Sequence, residues 1–433
     1  MNIRPGPLPR VQNRIAMASS MIITLVIAGI VMRRGELIAL TMPLLVYGLA
    51  FIVTALTEQT TGIEATRSIA TVTPTEGEEV EAVFTLANET GSPLIVAAID
   101  LLPLPLAITD GTATTLTELA GGETTRVTYS FSTERGKHRF SGVQVTQWDK
   151  WGIGTWEKIL PCDSTLTVLP RYETLGKIPI RPRRTKVYAG VVKALEGGEG
   201  TEFFGTREYT SGDDIKQINW KAYARYDRLV INEYEQERIA DVTIILDARA
   251  LTNQYPGVSD LFTRSVRAAA ALADYFLDLG NNVGLLTYGA FLDWIYPSYG
   301  KRQRQRVLEA LARVDISDKA VFQDLRFMPT RFFPSRSQLV IVSPLTEDDI
   351  EILDILHACE YQIIVVSPNP LLMERALHTD DPAWILAHRL AVAERKTLLS
   401  ALMRVGIQVV DWDVARPLSP QIEWALSRQR SGR

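Results

Sequence analysis

The chain has few of the side chains that most metal and redox sites require. Its 433 residues include only two cysteines and four histidines, and no histidine has a cysteine or carboxylate at a metal-ligand spacing. Cys162 and Cys359 are far apart, which argues against a disulfide framework. Neither a Gly-x-x-x-x-Gly-Lys-Ser/Thr loop nor a Gly-x-Gly-x-x-Gly after a predicted strand occurs. We therefore predict no cofactor and no catalytic constellation.

A strong excess of charge is also missing. The net charge is −4, charged residues make up 22% of the chain and hydrophobic residues 46%, which is typical of globular proteins. Nucleic-acid surfaces need clustered positive charge, and the one basic stretch lies within residues 171–200, among prolines and followed by glycines. We predict that residues 171–200 form a linker and that nucleic acid is not a partner.

Two long uncharged apolar runs lie near the N-terminus, at residues 15–32 and 37–56. About 20 apolar residues in a helix cross a bilayer core of ~30 Å. We therefore predict an N-terminal arm over residues 1–14 and a two-helix transmembrane hairpin over residues 15–58, with the lipid bilayer as a partner.

Arginines outside the two runs outnumber those in the turn between them. Those outside are Arg4, Arg10, Arg14 and Arg67, and those in the turn are Arg33 and Arg34. Since cytoplasmic flanks carry the excess of positive charge, the pattern predicts a multi-pass protein of the cell membrane. Both termini and the soluble domains would then lie in the cytoplasm.

Residues 63–170 have the pattern of an all-β domain. Residues 79–86 alternate apolar and polar side chains with a period of two, as a half-buried strand does. Turn residues separate this run from similar runs at 93–101, 124–131 and 138–146. Short strands with regular turn signals predict an immunoglobulin-like β-sandwich.

Residues 201–433 end in alternating strand and helix patterns. The run 241–247 is short, apolar and rich in β-branched residues, as buried parallel strands are. Further strands are predicted at 282–288, 338–343, 361–367 and 406–412, and helices at 259–279, 302–314, 382–405 and 420–428. This alternation predicts a doubly wound α/β domain. Asp247 falls at a strand end, where such folds bind ligands.

The segment before this domain carries the most specific pattern in the chain. Its spaced residues are Gly205, Arg207, Tyr209, Gly212, Asp213, Trp220, Ala224 and Arg225. The glycines permit backbone conformations that other residues avoid, the charged groups can share hydrogen bonds, and the aromatic rings offer apolar faces. Because no nucleophile–base pair is present, we interpret these residues as structural or partner-binding rather than catalytic.

This pattern resembles the signature of the domain of unknown function 58 family, which reads R-x-Y, G-D and I-x-W-x-x-x-A-R ahead of a von Willebrand factor A-like domain. The resemblance implies a von Willebrand factor A-like fold for the α/β domain. It also implies a partner, a MoxR-type AAA+ ATPase, and a role in the assembly or maturation of client proteins.

The resemblance also implies a metal site, because von Willebrand factor A-like domains often hold a divalent cation through a D-x-S-x-S run. Here the run begins at Asp247, and its hydroxyl positions are Arg249 and Leu251. We therefore predict a degenerate site that binds no metal, in which Asp247 pairs with Arg249. Asp318 and Asp324 are the carboxylates that could still complete such a site.

These patterns predict a membrane-anchored, non-enzymatic interaction or scaffold protein. Two alternatives remain open. One is a metal-dependent von Willebrand factor A-type adhesion module facing outside the cell. The other is a hydrolase centred on Asp247, with Arg207 or Arg225 binding an anion. A deep pocket joining these groups would favour the hydrolase, and a filled strand-end face would count against it.

Overall fold

The computed structural model describes most of the chain. Its described residues are 9–46, 48–49, 62–148, 155–178, 192–211, 213–255, 258, 260–289, 292–316, 325, 328, 330–335, 337–374 and 382–431. They divide into two compact units, Met1–Val168 and Leu169–Arg433. The signature residue Gly212, the carboxylates Asp318 and Asp324, and residues 179–191 of the predicted linker lie outside the described residues.

The N-terminal apolar runs form a helix pair of unequal length. Helix α1 is Pro9–Val31 and helix α2 is Gly35–Ala39. Helix α2 is followed by a turn at Leu40, after which residues 41–46 and 48–49 are helical again. Among the described residues, no helix combines the length and the apolar character that crossing a bilayer demands. The predicted transmembrane helical hairpin over 15–58, and the multi-pass cell-membrane location derived from it, are therefore wrong.

Within its described residues, the first unit has ten strands around one apolar core. They are β1 (Ile63–Ile69), β2 (Glu79–Asn88), β3 (Leu94–Asp100), β4 (Ala107–Gly111), β5 (Thr114–Leu119), β6 (Thr124–Ser132), β7 (Gly136–Phe140), β8 (Val143–Trp148), β9 (Thr155–Leu160) and β10 (Ser164–Val168). Two four-stranded sheets have the orders β1-β2-β6-β4 and β5-β3-β8-β9, and β7 pairs with β10. Alternate side chains of both sheets are buried in a shared core that includes Phe84, Val96 and Phe131.

The predicted strand over 138–146 is two strands in the structure. Strand β7 ends at Phe140 and β8 begins at Val143. Between them Gly142 has a φ of +150°, and a Cβ added there would lie 2.5 Å from the carbonyl oxygen of Leu160. Only glycine allows this conformation and this close approach, so the break is set at Gly142.

The second unit begins with a segment that packs on its own α/β body. Leu175 and Ile178, within the predicted linker, are buried in its core. The backbone N–H of Ile178 donates to the hydroxyl of Tyr275, which donates in turn to the carbonyl of Ile178. A long hairpin follows, formed by β11 (Val192–Glu208) and β12 (Val230–Arg238), and α3 (Trp220–Tyr226) lies between its strands in sequence.

A six-stranded sheet forms the body of the second unit. Its strands are β13 (Asp241–Asp247), β14 (Asn282–Tyr288), β15 (Leu292–Ser298), β16 (Gln338–Val342), β17 (Gln362–Pro368) and β18 (Gln408–Trp412). The order is β15-β14-β13-β16-β17-β18, and every pairing is parallel except that of β15 with β14. The carboxyl ends of five strands therefore share one edge.

Helices cover both faces of this sheet. The longer helices are α5 (Leu261–Asp278), α6 (Gly300–Arg313), α7 (Asp349–Ala358), α9 (Pro382–Val405) and α10 (Leu418–Ser431), and the short ones are α4 (Ala250–Asn253) and α8 (Pro370–Glu374). Helices α5, α6 and α10 contribute to one apolar cluster, and α7 and α9 contribute to the other. Burial on both faces explains why the parallel strands are nearly continuous apolar runs.

Candidate functional sites

The carboxyl edge of the sheet holds a buried cluster of charged side chains. Asp247 is the last residue of β13 and so lies at this edge. The backbone N–H of Arg249, two residues later, donates to Oδ1 of Asp247. The guanidinium of Arg249 donates from Nε to Oδ1 of Asp247 at 2.9 Å and from Nη2 to Oδ2 at 2.8 Å. The predicted ion pair between Asp247 and Arg249 is therefore present.

A second carboxylate, which the sequence did not indicate, completes this cluster. Asp349, at the start of α7, accepts from Nη1 of Arg249 at 3.0 Å and from Nη2 at 2.8 Å. The side chains of all three residues are only 1% exposed. Burial alone would lower the pKa of Arg249, but the charges of the two carboxylates raise it above its ordinary value. One fixed cation thus pairs with two buried carboxylates.

Hydroxyl groups occupy the remaining acceptor positions of Asp247. Its Oδ2 accepts from Thr252 Oγ1 at 2.9 Å and from Ser343 Oγ at 2.6 Å. A divalent cation needs several oxygen atoms with free lone pairs, whereas here the guanidinium and hydroxyl donors already engage both oxygens of Asp247. The donor set does not fit a divalent cation.

A second arginine fills the same edge beside strands β16, β17 and β18. Arg395 of α9 donates from Nη2 to Asp411 Oδ1 at 2.8 Å and to the carbonyl of Ser367 at 3.1 Å. Its Nη1 donates to the carbonyl of Pro344 at 3.0 Å. The polar groups at the strand ends are therefore bound by side chains of the protein itself.

The signature residues form a separate structure at the loop end of the β11–β12 hairpin. Arg207 donates from Nη1 and Nη2 to the two carboxylate oxygens of Asp213, at 2.8 and 2.7 Å. Oδ2 of Asp213 also accepts from the backbone N–H of Thr210 at 2.7 Å. This bidentate clamp closes the loop after β11. Tyr209 is half-buried, and its N–H donates to the carbonyl of Leu229 at 2.9 Å.

Replacing Arg207 with glutamine should raise the pKa of the Asp213 carboxyl. The hydrogen bonds from Arg207, and then that from the N–H of Thr210, hold this pKa below its usual value. The clamp's contribution to stability is therefore full above the unfolded-state pKa of about 4 and is lost as the pH falls through the lowered folded-state pKa. A ¹³C NMR titration of Asp213 measures the shift. Lys216→Gln is the control, and an unchanged pKa in Arg207→Gln would contradict the role of the clamp.

Gly205 does not have the special backbone conformation that the sequence suggested for it. It does not adopt a left-handed φ, and a Cβ added there would meet no atom within 4 Å. It lies instead at a register shift of the β11–β12 pairing. The glycine therefore marks an irregular position in a strand rather than a conformation that excludes side chains.

Gly205→Ala should change the free energy of unfolding by no more than about 0.5 kcal/mol, because the new methyl group meets open space. The matched control in the same unit is Gly284→Ala, whose Cβ would lie 2.9 Å from the carbonyl oxygen of Ile295 and should cost more than ~1 kcal/mol. Urea unfolding measures both. An equal loss at the two positions would show that Gly205 is sterically required.

The remaining described signature residues, Trp220, Ala224 and Arg225, lie on the exposed helix α3, which also carries Tyr223. Trp220 is 59% exposed and Tyr223 is 39% exposed, and their rings meet edge to face with centroids 6.3 Å apart. Ala224 and Arg225 are exposed too. The structure thus divides the signature into a clamp that shapes the loop and a helix that presents aromatic and basic side chains to solvent.

Comparison with known proteins supports the family resemblance. Residues 205–369 match the family described as "Protein of unknown function DUF58". The "Uncharacterized protein YeaD" of Bacillus subtilis (strain 168) is 24% identical over 237 residues, which are 51% of this chain and 54% of YeaD. The chain therefore spans about half the length of that curated relative.

Similarity to solved structures is weak. The cupredoxin domain of amoB from Nitrosocaldus yellowstonii has 10% identity and a TM-score of 0.19, covering 25% of this chain and 88% of that one. A non-cellulosomal cohesin from Archaeoglobus fulgidus has 13% identity and a TM-score of 0.19, covering 25% of this chain and 91% of that one. The family match is the informative one, because the matched residues 205–369 include all of the signature residues.

Proposed function

We propose that this chain is a non-enzymatic interaction protein that works with a MoxR-type AAA+ ATPase in the assembly or maturation of client proteins. The partner and the role come from the family resemblance and not from the fold, because one fold serves many functions. The order of the six-stranded sheet, with one antiparallel edge strand, supports a von Willebrand factor A-like assignment of the second unit.

The observation that carries the non-enzymatic part of the proposal is the position of the Arg249 guanidinium. Doubly wound sheets bind their ligands in the crevice at the carboxyl ends of the strands. At that edge Arg249 joins Asp247 to Asp349, and Arg395 joins Asp411 to two strand-end carbonyls. Asp247 makes its hydrogen bonds within the protein, which argues against a hydrolase centred on it. The same guanidinium argues against a metal-dependent adhesion module.

The proposal is tested with the purified full-length chain and a MoxR-type ATPase from the same organism. We expect nucleotide-dependent binding by biolayer interferometry and a change of several-fold in the rate of ATP hydrolysis. An AAA+ ATPase of another class serves as the control. The proposal fails if the chain neither binds the MoxR-type ATPase nor changes the rate at which that ATPase hydrolyses ATP.

A further inference from the structure

We infer that the exposed side of α3 is a docking surface for an acidic segment of a partner protein that carries an aliphatic or aromatic anchor. The inference rests on the proposed function, because it names the chemistry by which the protein would hold its partner. The residues of this surface are Trp220, Lys221, Tyr223, Ala224 and Arg225, and we call it the aromatic–basic face.

The order of these residues around the helix predicts a shallow gap at Ala224. With 3.6 residues per turn, Ala224 lies one turn after Trp220 on the same side of α3, and Lys221 and Arg225 lie together on the adjoining side. A methyl group at position 224 leaves space between the aromatic rings and the two cations. An apolar side chain of a partner fits this gap, with the ring of Trp220 as one wall.

Local contacts hold this helix in place, so little ordering is needed when a partner binds. The side chain of Asn219 caps α3 by accepting from the N–H of Ala222 at 3.0 Å. Its Nδ2 donates to Asn232 of β12 at 2.9 Å. Asp227 ends the helix with a φ of +50°. Because a preorganised surface loses less conformational entropy on binding, it binds its partner with higher affinity.

The charge of the face favours an acidic partner. Lys216, Lys221 and Arg225 make no ion pair with any residue that the structure describes. Asp213 pairs with Arg207, and the other carboxylates that flank the helix are Asp214 and Asp227, so the three cations outnumber them. The cations therefore give the face a positive field that acidic groups complement. Exposed tryptophan and arginine are also the side chains that most often dominate binding energy at protein interfaces.

The test uses 5-fluorotryptophan-labelled full-length protein and synthetic peptides of 16 residues as probes. One peptide combines Asp and Glu with Leu and Phe, a second has Ser at the apolar positions, and a third has Lys at the acidic positions. Of the three peptides, only the first should shift the ¹⁹F resonance of Trp220. The resonance is assigned by its loss in Trp220→Phe. Because cations contribute to docking, the affinity should fall as salt is raised.

Variants separate docking from stability. Trp220→Ala removes a wall of the gap and Ala224→Leu fills it. Each substitution should therefore lower the affinity for the first peptide by about tenfold or more. The matched control is Trp424→Ala, since Trp424 is also an exposed helical tryptophan, 64% exposed, with the guanidinium of Arg428 over its ring. This control should bind the peptide as the wild type does.

Three results of the peptide measurements would overturn the inference. They are an unmoved Trp220 resonance, an equal loss of affinity in Trp220→Ala and Trp424→Ala, or displacement of the peptide by an equal concentration of oligothymidylate. The ATPase assay separates this inference from the proposed function. If the ATPase binds wild type and Ala224→Leu equally, the docking face is wrong and the proposed function stands. If it binds neither, the proposed function fails and the peptide measurements still decide the docking face.

Discussion

Replacing Arg249 with methionine should lower the free energy of unfolding of the second unit by about 3–5 kcal/mol. The variant keeps most of the apolar volume of the side chain but removes the one guanidinium that bonds both Asp247 and Asp349. Two carboxylates then remain buried beside each other without a cation. Desolvation and mutual repulsion both oppose this arrangement, so the loss should exceed that of an ordinary buried hydrogen bond.

The measurement must follow each unit separately, since a chain of two units need not unfold in one step. The ¹⁹F resonances of Trp294 and Trp412 report on the second unit, and those of Trp148 and Trp156 on the first. Arg302→Met, at an exposed position of α6, is the control and should change stability by less than about 0.5 kcal/mol.

A second substitution tests the cause of the loss. Asp349→Asn in the Arg249→Met background removes one of the two uncompensated charges, and it should restore part of the lost stability. If Arg249→Met alone unfolds no more easily than the control, the buried pair does not stabilise this edge. If the added Asp349→Asn lowers stability further, electrostatic repulsion is not the cause of the loss.

Local patterns were enough to predict most elements of the second unit. The strands predicted at 241–247 and 282–288 are observed at Asp241–Asp247 and Asn282–Tyr288, and the helix predicted over 382–405 is Pro382–Val405. These elements are long or continuously apolar, so their period is clear within a short window. The edge strand β15 was missed because it is amphipathic and half-buried, with Pro297 near its end.

Contacts between residues distant in sequence could not be read from such windows. Asp349 lies 100 residues after Arg249, and nothing local to either residue indicates that they meet. The apolar run 37–56 misled in the opposite way, because its composition suits one continuous spanning helix whereas a turn at Leu40 separates α2 from the helical residues 41–46. Arg67, counted in the sequence as a membrane-flanking charge, is instead buried in the core of the first unit beside Asp100.

Replacing Asp100 with leucine should lower the free energy of unfolding of the first unit by about 3–5 kcal/mol, because it leaves the guanidinium of Arg67 buried and unpaired. Arg67 donates from Nε to Asp100 at 2.9 Å, and a second bond runs from its Nη2 to the other carboxylate oxygen. Its other donors reach the carbonyls of Cys162 and Gly142 and the hydroxyl of Ser164. These neutral acceptors do not compensate a buried positive charge.

A smaller loss is expected at Tyr129, whose hydroxyl donates to Asp100 at 2.8 Å. Burial and then the charge of Asp100 raise its pKa, so Tyr129 stays a neutral donor and Tyr129→Phe removes one charge-assisted bond, worth about 1.5–3 kcal/mol. The double variant Arg67→Met/Asp100→Leu should be more stable than Asp100→Leu alone, because an apolar pair of similar volume leaves no buried charge. The ¹⁹F resonances of Trp148 and Trp156 follow all three variants. A double variant less stable than Asp100→Leu would mean that Arg67 stabilises the core through its bonds to Cys162, Gly142 and Ser164, and not through its charge pair.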